Sequence, residues 1–274
     1  MRGSFFTPCS GKELYGHFLE VRNLWNLNLP MYWGDDLDVR YRLTYELSKM
    51  RGKRILDVGS NVGMISRYAS RANSVVGIDV EASFLKRAKE IAPEAEFIRA
   101  SMDALPFEKD SFDVVLFSHT VPGNDFVLPG MDVVAFREKT FREAFRVLRK
   151  GGTFLLTSPN REWRQWQRDR STFSEKDGFL PVIHGKIFEE VATYTDKVFV
   201  GGWDRLPTLL GPLEDFLIGT MPPRGWRYCS SPPKLLCKSS FVWDKLEKDF
   251  QKSFSCEPVK GRNRVKSMVL WAEK

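Results

Sequence analysis

The chain has 274 residues, enough for one large domain with a full core, and its 42% hydrophobic and 28% charged content is that of an ordinary globular protein. No stretch reaches the roughly 18 uninterrupted apolar residues of a membrane span, and the first ten residues are too weakly apolar for a secretory signal, so a cytoplasmic location is expected. The net charge of +7, from 42 basic against 35 acidic residues, describes a mildly basic surface that would suit an anionic partner without requiring one.

In chain order, residues 1–50 are rich in aromatics (Trp25, Tyr32, Trp33, Tyr41) and read as helices and loops that cover a core. From Arg54 to Asn160, short β-branched runs alternate with helical patterns, which predicts a parallel sheet with helices on its faces. The runs are Arg54–Gly59, Ser74–Asp79, Ala95–Ala100, Phe112–His119 and Thr153–Asn160, several of them apolar at consecutive positions as in strands buried on both sides. Phe84, Leu85, Ala88 and Ile91 stand at helical spacing until Pro93 stops the helix. Phe141, Ala144, Phe145 and Leu148 mark a second helix, whose last turn is expected to carry Arg146, Arg149 and Lys150 ahead of Gly151. Lys186–Thr195 reads as a helix, Lys197–Trp203 as a strand and Val265–Lys274 as the final strand. Between the last two strands, residues 204–262 form a Pro-punctuated insertion, and insertions of this length are more often functional than idle.

The four cysteines (Cys9, Cys229, Cys237, Cys256) form no C-x-x-C pair and are expected to be reduced thiols. The three histidines (His17, His119, His184) are scattered, so no metal site is expected.

The first strand runs into Asp57-Val58-Gly59-Ser60-Asn61-Val62-Gly63, at the place where open α/β sheets expose backbone N–H groups to ligands. A dinucleotide fingerprint beginning at Gly59 would need glycines where Asn61 and Met64 stand. Asp57 argues the same way, because a carboxylate there repels a pyrophosphate and attracts an ammonium group. The acid-x-Gly-x-Gly-x-Gly spacing resembles instead the first motif of the class I S-adenosylmethionine-dependent methyltransferases. Only the middle glycine departs, replaced by an Asn, which enters the left-handed region at modest cost. The resemblance continues in order: Val75–Ala88 looks like the family's second strand and helix, Ser101–Val121 its third loop and fourth strand, and Ala144–Asn160 its fifth unit. The pattern is similar to that of the ubiquinone/menaquinone-biosynthesis methyltransferases.

The resemblance implies an α/β fold with a Rossmann-like, doubly wound, mostly parallel seven-stranded sheet. It implies one domain over 1–274, with a cover at 1–50, a cofactor-binding core at 51–203, an insertion or lid at 204–262 and a last strand at 263–274. The implied cofactor is S-adenosyl-L-methionine, with S-adenosyl-L-homocysteine as product. Its implied contacts are Asp57, Gly59, Ser60, Asn61 and Gly63 at the turn, Asp79 at the ribose hydroxyls, and Val80 and Ser118 as further cofactor-binding residues. The family's adenine-binding acid falls on Ser101, followed by Met102. Asp103 is an alternative acid shifted by two, and the spacing to Leu105-Pro106-Phe107 favours Ser101 and Met102. His119 is the candidate general base, with a pocket-lining bystander as the alternative reading.

For the acceptor, the N/D/S-P-P-Y/F sequence of amino-methylating DNA enzymes is absent after the fourth strand. Arg161, Trp163, Arg164, Trp166, Arg168 and Arg170 interleave in a way that could engage RNA, yet two acids interrupt them. Trp203, Phe216, Trp226, Tyr228, Phe241 and Trp243 in and beside the insertion suit an apolar substrate. A small-molecule or lipid-like acceptor is therefore expected, with an RNA methyltransferase or a non-catalytic cofactor-binding subunit as alternatives.

Overall fold

The computed structural model describes residues 17, 20–21, 37–123, 126, 128–159, 184–203, 254–255 and 267–274. Helix α1 (Leu37–Lys49) precedes β1 (Arg54–Val58), α2 (Met64–Ala69), β2 (Ser74–Asp79), α3 (Ala82–Ile91), β3 (Glu96–Arg99) and β4 (Phe112–Ser118). Then follow α4 (Val133–Val147), β5 (Leu148–Pro159), α5 (His184–Ala192), β6 (Val198–Trp203), β7 (Phe254–Ser255) and β8 (Ser267–Glu273). The predicted runs thus form strands, and the sheet has the order β3-β2-β1-β4-β5-β8-β6-β7.

β3, β2, β1, β4 and β5 are mutually parallel, and β8 runs antiparallel between β5 and β6. The order reverses at β1, so the loops after β1 and β4 leave the same edge on opposite faces, which opens a crevice there. Among the described residues the sheet has eight strands, where seven are expected. The extra one is the two-residue β7, which pairs antiparallel with β6 (Val200↔Ser255, Gly201↔Phe254) and comes from within the expected insertion.

Alternation along the strands builds a core on each face. Leu56, Val58, Val76, Ile78, Val115, Phe117 and Leu156 face α4 and α5, where Phe145 stacks on Phe154 and on Tyr194. Ile55, Val75, Val114, Leu116 and Leu155 face α1 and α2. On this side lies His17, whose Nε2 is 2.8 Å from Thr44 Oγ1 of α1 and whose ring meets Tyr45 and Tyr68 edge-on; most of residues 1–36, expected as a cover, fall outside the described residues. Trp25, Tyr32 and Trp33 fall outside the described residues, as do 161–170 and the insertion aromatics from Phe216 to Trp243.

The end of α4 corrects one expectation. The helix stops at Val147 with Leu148 already extended, so Arg149 and Lys150 are not in its last turn. They lie in a strand irregularity opposite Asp113, where the pairing steps from Phe112↔Leu148 to Val114↔Thr153, and Arg149 forms an ion pair with Asp113. The physical reason is tertiary: β4 offers ladder partners and a carboxylate to residues that locally favour a capped helix. Arg146 does belong to the last turn, but its guanidinium is used elsewhere. It pairs with Glu143 and donates to the carbonyls of Phe107 and Leu105, which ties down the loop between β3 and β4.

Candidate active site

β1 delivers its chain into a turn built from left-handed residues. Gly59, Asn61 and Gly63 have φ of 71°, 49° and 76°. Asn61 therefore takes the conformation a glycine would, and its Oδ1 accepts the N–H of Val62 at 2.7 Å, a local bond that a glycine could not supply. Gly59 is required for a second reason: a Cβ there would collide with Thr120 Cγ2. Thr120, just past β4, donates its hydroxyl to the Val58 carbonyl at 3.1 Å and so packs the β4 loop onto the turn.

Two carboxylates flank this turn. Asp57 is 2% exposed near the end of β1, and its Oδ2 accepts the Ser66 hydroxyl at 2.6 Å. Burial pushes the Asp57 carboxyl up to about 6, with the negative charge of Asp79 adding to the rise and the Ser66 hydrogen bond opposing it. Asp79, at the end of β2, accepts the Asn61 N–H through Oδ2 and the Glu81 N–H through Oδ1, each at 3.0 Å. A carboxylate has about four lone-pair positions, so roughly two remain for hydroxyl donors from a ligand.

Of the other predicted residues, Ser60 donates its N–H to the Ile78 carbonyl at 2.8 Å, and its hydroxyl is buried with no hydrogen-bond partner among the described residues. Its Cβ packs close to Gly77 of β2, where an added Cβ would meet it at 2.9 Å. Val80 is 56% exposed, an unusual position for a large apolar side chain, and its carbonyl accepts Arg99 Nε at 2.9 Å. Met102 packs half-buried against the core on the α4 side. Ser101 donates its hydroxyl to Asp103, so the two residues that compete for one role in the sequence are joined in the structure.

Ser118 ends β4 opposite Thr157 of β5. His119 follows it, half-buried and left-handed at φ 57°, with its N–H donating to the Thr157 carbonyl at 2.9 Å. Among non-glycine residues His is one of the few enriched in that region. The loop beyond is pinned by buried Arg137 of α4, which donates to the Pro122 carbonyl at 3.1 Å and grips both Glu190 oxygens of α5 at 2.6 Å.

Ser66, Thr120 and Arg137 are the site's supporting residues that sequence reading misses. Each acts through a partner fixed by packing or by a turn, and no spacing rule points to it. The described residues contain no group of three or more His, Cys, Asp or Glu able to hold a metal ion.

An open, doubly wound sheet with a left-handed turn and two acids beside its switch point defines a Rossmann-like fold. Comparison narrows the class. Residues 56–156 match the model of the methyltransferase domain family, which supports a class I S-adenosylmethionine-dependent methyltransferase. The chain is 31% identical over 126 residues to the ubiquinone/menaquinone biosynthesis C-methyltransferase of Cronobacter sakazakii, covering 42% of this chain and 46% of that one. It is 31% identical over 175 residues to phthiotriol/phenolphthiotriol dimycocerosates methyltransferase 1 of Mycobacterium ulcerans, covering 58% and 59%. The matches thus span about half to three-fifths of these relatives' lengths. An S-adenosylmethionine-dependent methyltransferase of Thermotoga maritima shares the fold, with a TM-score of 0.53 at 14% identity over 96% of this chain and 99% of that one. No helix among the described residues is long and apolar enough to cross a membrane.

Proposed function

We propose that this chain binds S-adenosyl-L-methionine in the crevice above β1, β2 and β3 and transfers its methyl group to a small-molecule or lipid-like acceptor, with S-adenosyl-L-homocysteine as product. The observation that carries this reading is the paired carboxylates, Asp57 and Asp79, on either side of a turn in which three residues are left-handed. The residues fit the donor chemically. Ionised Asp57 is costly where it sits, and an ammonium group above the turn offsets that cost. Asp79 keeps acceptor capacity for ribose hydroxyls, and the main-chain amides of the turn suit a carboxylate.

When bound, the donor supplies a sulfonium methyl that is displaced in line by the acceptor's nucleophile. The chain's own contribution is placement, which is worth roughly 7–11 kcal/mol in well-oriented reactions. The Asn61–Asp79 and Thr120–Val58 bonds hold the turn, while Arg137 holds the loop after β4. His119, at the head of that loop, is the residue assigned to take a proton from an N or O acceptor. Its strained backbone supports the assignment, since such outliers cluster at functional sites.

The relatives above act in ubiquinone/menaquinone biosynthesis and on phthiotriol dimycocerosates, which supports an acceptor of the proposed kind. The test is calorimetry with the donor, followed by incubation with methyl-labelled donor and separate lipid, small-metabolite and RNA fractions. Label in the lipid or metabolite fraction is expected. Label confined to RNA, or tight donor binding with no transfer to any fraction, would overturn the acceptor assignment.

A further inference from the structure

Residues 17, 20 and 21 are helical, and they meet α1 and α2 through one face of that turn. His17 and Val21, four apart, are 8% and 0% exposed, while Glu20 at the rim forms an ion pair with Arg71, two residues beyond α2. The His17 Nε2 bonds Thr44 Oγ1 of α1 at 2.8 Å. Its ring stands edge-on to Tyr45 of α1 at 5.5 Å and to Tyr68 of α2 at 5.2 Å between centroids.

This cradle suits a neutral imidazole and opposes a charged one. Aromatic rings attract cations, but each of these two already carries one: Arg71 lies over Tyr68 at 4.8 Å and Lys49 over Tyr45 at 5.0 Å. A protonated His17 would be a third positive charge around the same two rings, withdrawn from water. The nearby acids are committed. Glu20 is held by Arg71, and Glu46, buried on α1, is engaged with a partner other than His17. Arg67 of α2 turns away and donates to the Ile91 carbonyl at 2.6 Å. Burial first, and then the charges of Arg71 and Lys49, push His17 from its ordinary 6.5 down to about 4.

From this we infer that the helical turn carrying His17 is a pH-sensitive latch, which holds the N-terminal segment on α1 and α2 while the imidazole is neutral and releases it when the ring takes a proton. Release uncovers Tyr68, on the same helix whose Ser66 holds Asp57. The sign follows from exclusion of the proton. A base whose pKa is lowered on docking supports the docked state fully above its free value of 6.5, and that support is lost as pH falls toward about 4. Docking should therefore weaken about tenfold between about pH 7.5 and 5.5, and about thirtyfold by about pH 5. Asp57, joined to α2 through Ser66, has its pKa raised and works in the opposite direction.

Hydrogen exchange on the full chain, corrected for the intrinsic rate at each pH, tests the latch in peptides that contain His17, Glu20 and Val21. Wild-type protection there should fall about tenfold from about pH 7.5 to about pH 5.5, while peptides from β1 and β4 keep theirs to within about twofold. His17→Gln can still bond Thr44 but cannot titrate, and its protection should agree at the two pH values to within about twofold. His17→Phe, equally unable to titrate, serves if the glutamine variant does not fold. Wild-type protection that does not change with pH overturns the inference, as does an acid loss of the same size in the folded variants. An acid loss shared equally by β1 and β4 would be unfolding of the whole domain and overturns it as well.

Discussion

Replacing Asp57 by Asn should stabilise the protein at neutral pH while impairing the site. In the unfolded chain this carboxyl titrates at its ordinary value of 3.8; in the folded chain it does so at about 6. Its pKa is raised on folding, so the stability linked to its proton is fully present below about 4 and is lost as pH rises through about 6. The gap of about two units, at 1.36 kcal/mol each, puts the cost of the charged form near 3 kcal/mol above about pH 7. The asparagine has no charge to bury and can still accept the Ser66 hydroxyl, though that bond loses about 1 kcal/mol by becoming neutral. The net expectation is a gain of about 1–3 kcal/mol at about pH 7.5, or several degrees in Tm for a chain of this size. Urea unfolding of both proteins from about pH 4.5 to 8 measures it, and the advantage of the variant should shrink steadily toward the acid end. In parallel, wild-type affinity for the cationic donor should rise with pH through about 6, because ionised Asp57 attracts the ammonium, and the variant should show a weaker, flatter profile. A variant less stable than wild type at neutral pH, or a stability difference that does not change with pH, would refute the reasoning.

Gly59→Ala forces a left-handed alanine and sets its Cβ against Thr120 Cγ2, at a combined cost of about 2–4 kcal/mol in chemical denaturation. Adding Thr120→Ser removes the clashing methyl but keeps the hydroxyl for Val58, so about half of the loss should return; no recovery would show that the clash is not the cause. Arg137→Met strands Glu190 and the Pro122 carbonyl and should cost about 3 kcal/mol, with partial recovery in the Arg137→Met/Glu190→Met double variant. His119→Gly suits the left-handed backbone and should leave stability equal or higher, while a proton-transfer role predicts a loss in methyl transfer of about 100-fold or more. Unchanged transfer would make His119 a bystander.

The central strands were legible because both faces of the sheet are covered, which leaves runs of consecutive apolar residues with no competing period. Asn61 was legible as a glycine substitute because few residues tolerate its φ of 49°, and that constraint is local. The end of α4 was not. Arg149 and Lys150 followed by glycine satisfy every local rule for helix termination, yet the helix ends earlier because Leu148 pairs with Phe112 of β4 and Arg149 forms an ion pair with Asp113, far back along the chain.

What the amino-acid order settled by itself is therefore whatever depends on periodicity and on backbone permission: the alternating elements, the left-handed turn and the acids that flank it. Tertiary structure alone decided which side chain answers which. Ser66 beneath Asp57, Thr120 against Gly59, and Arg137 between Pro122 and Glu190 meet only after the sheet has assembled. Asp103 lies two residues from Ser101, yet the bond that joins them depends on how the β3–β4 loop is held by Glu143 and Arg146. Hydrogen bonds are short-ranged and directional, so their partners are fixed by the packing of elements distant in sequence, and no reading along the chain can pair them.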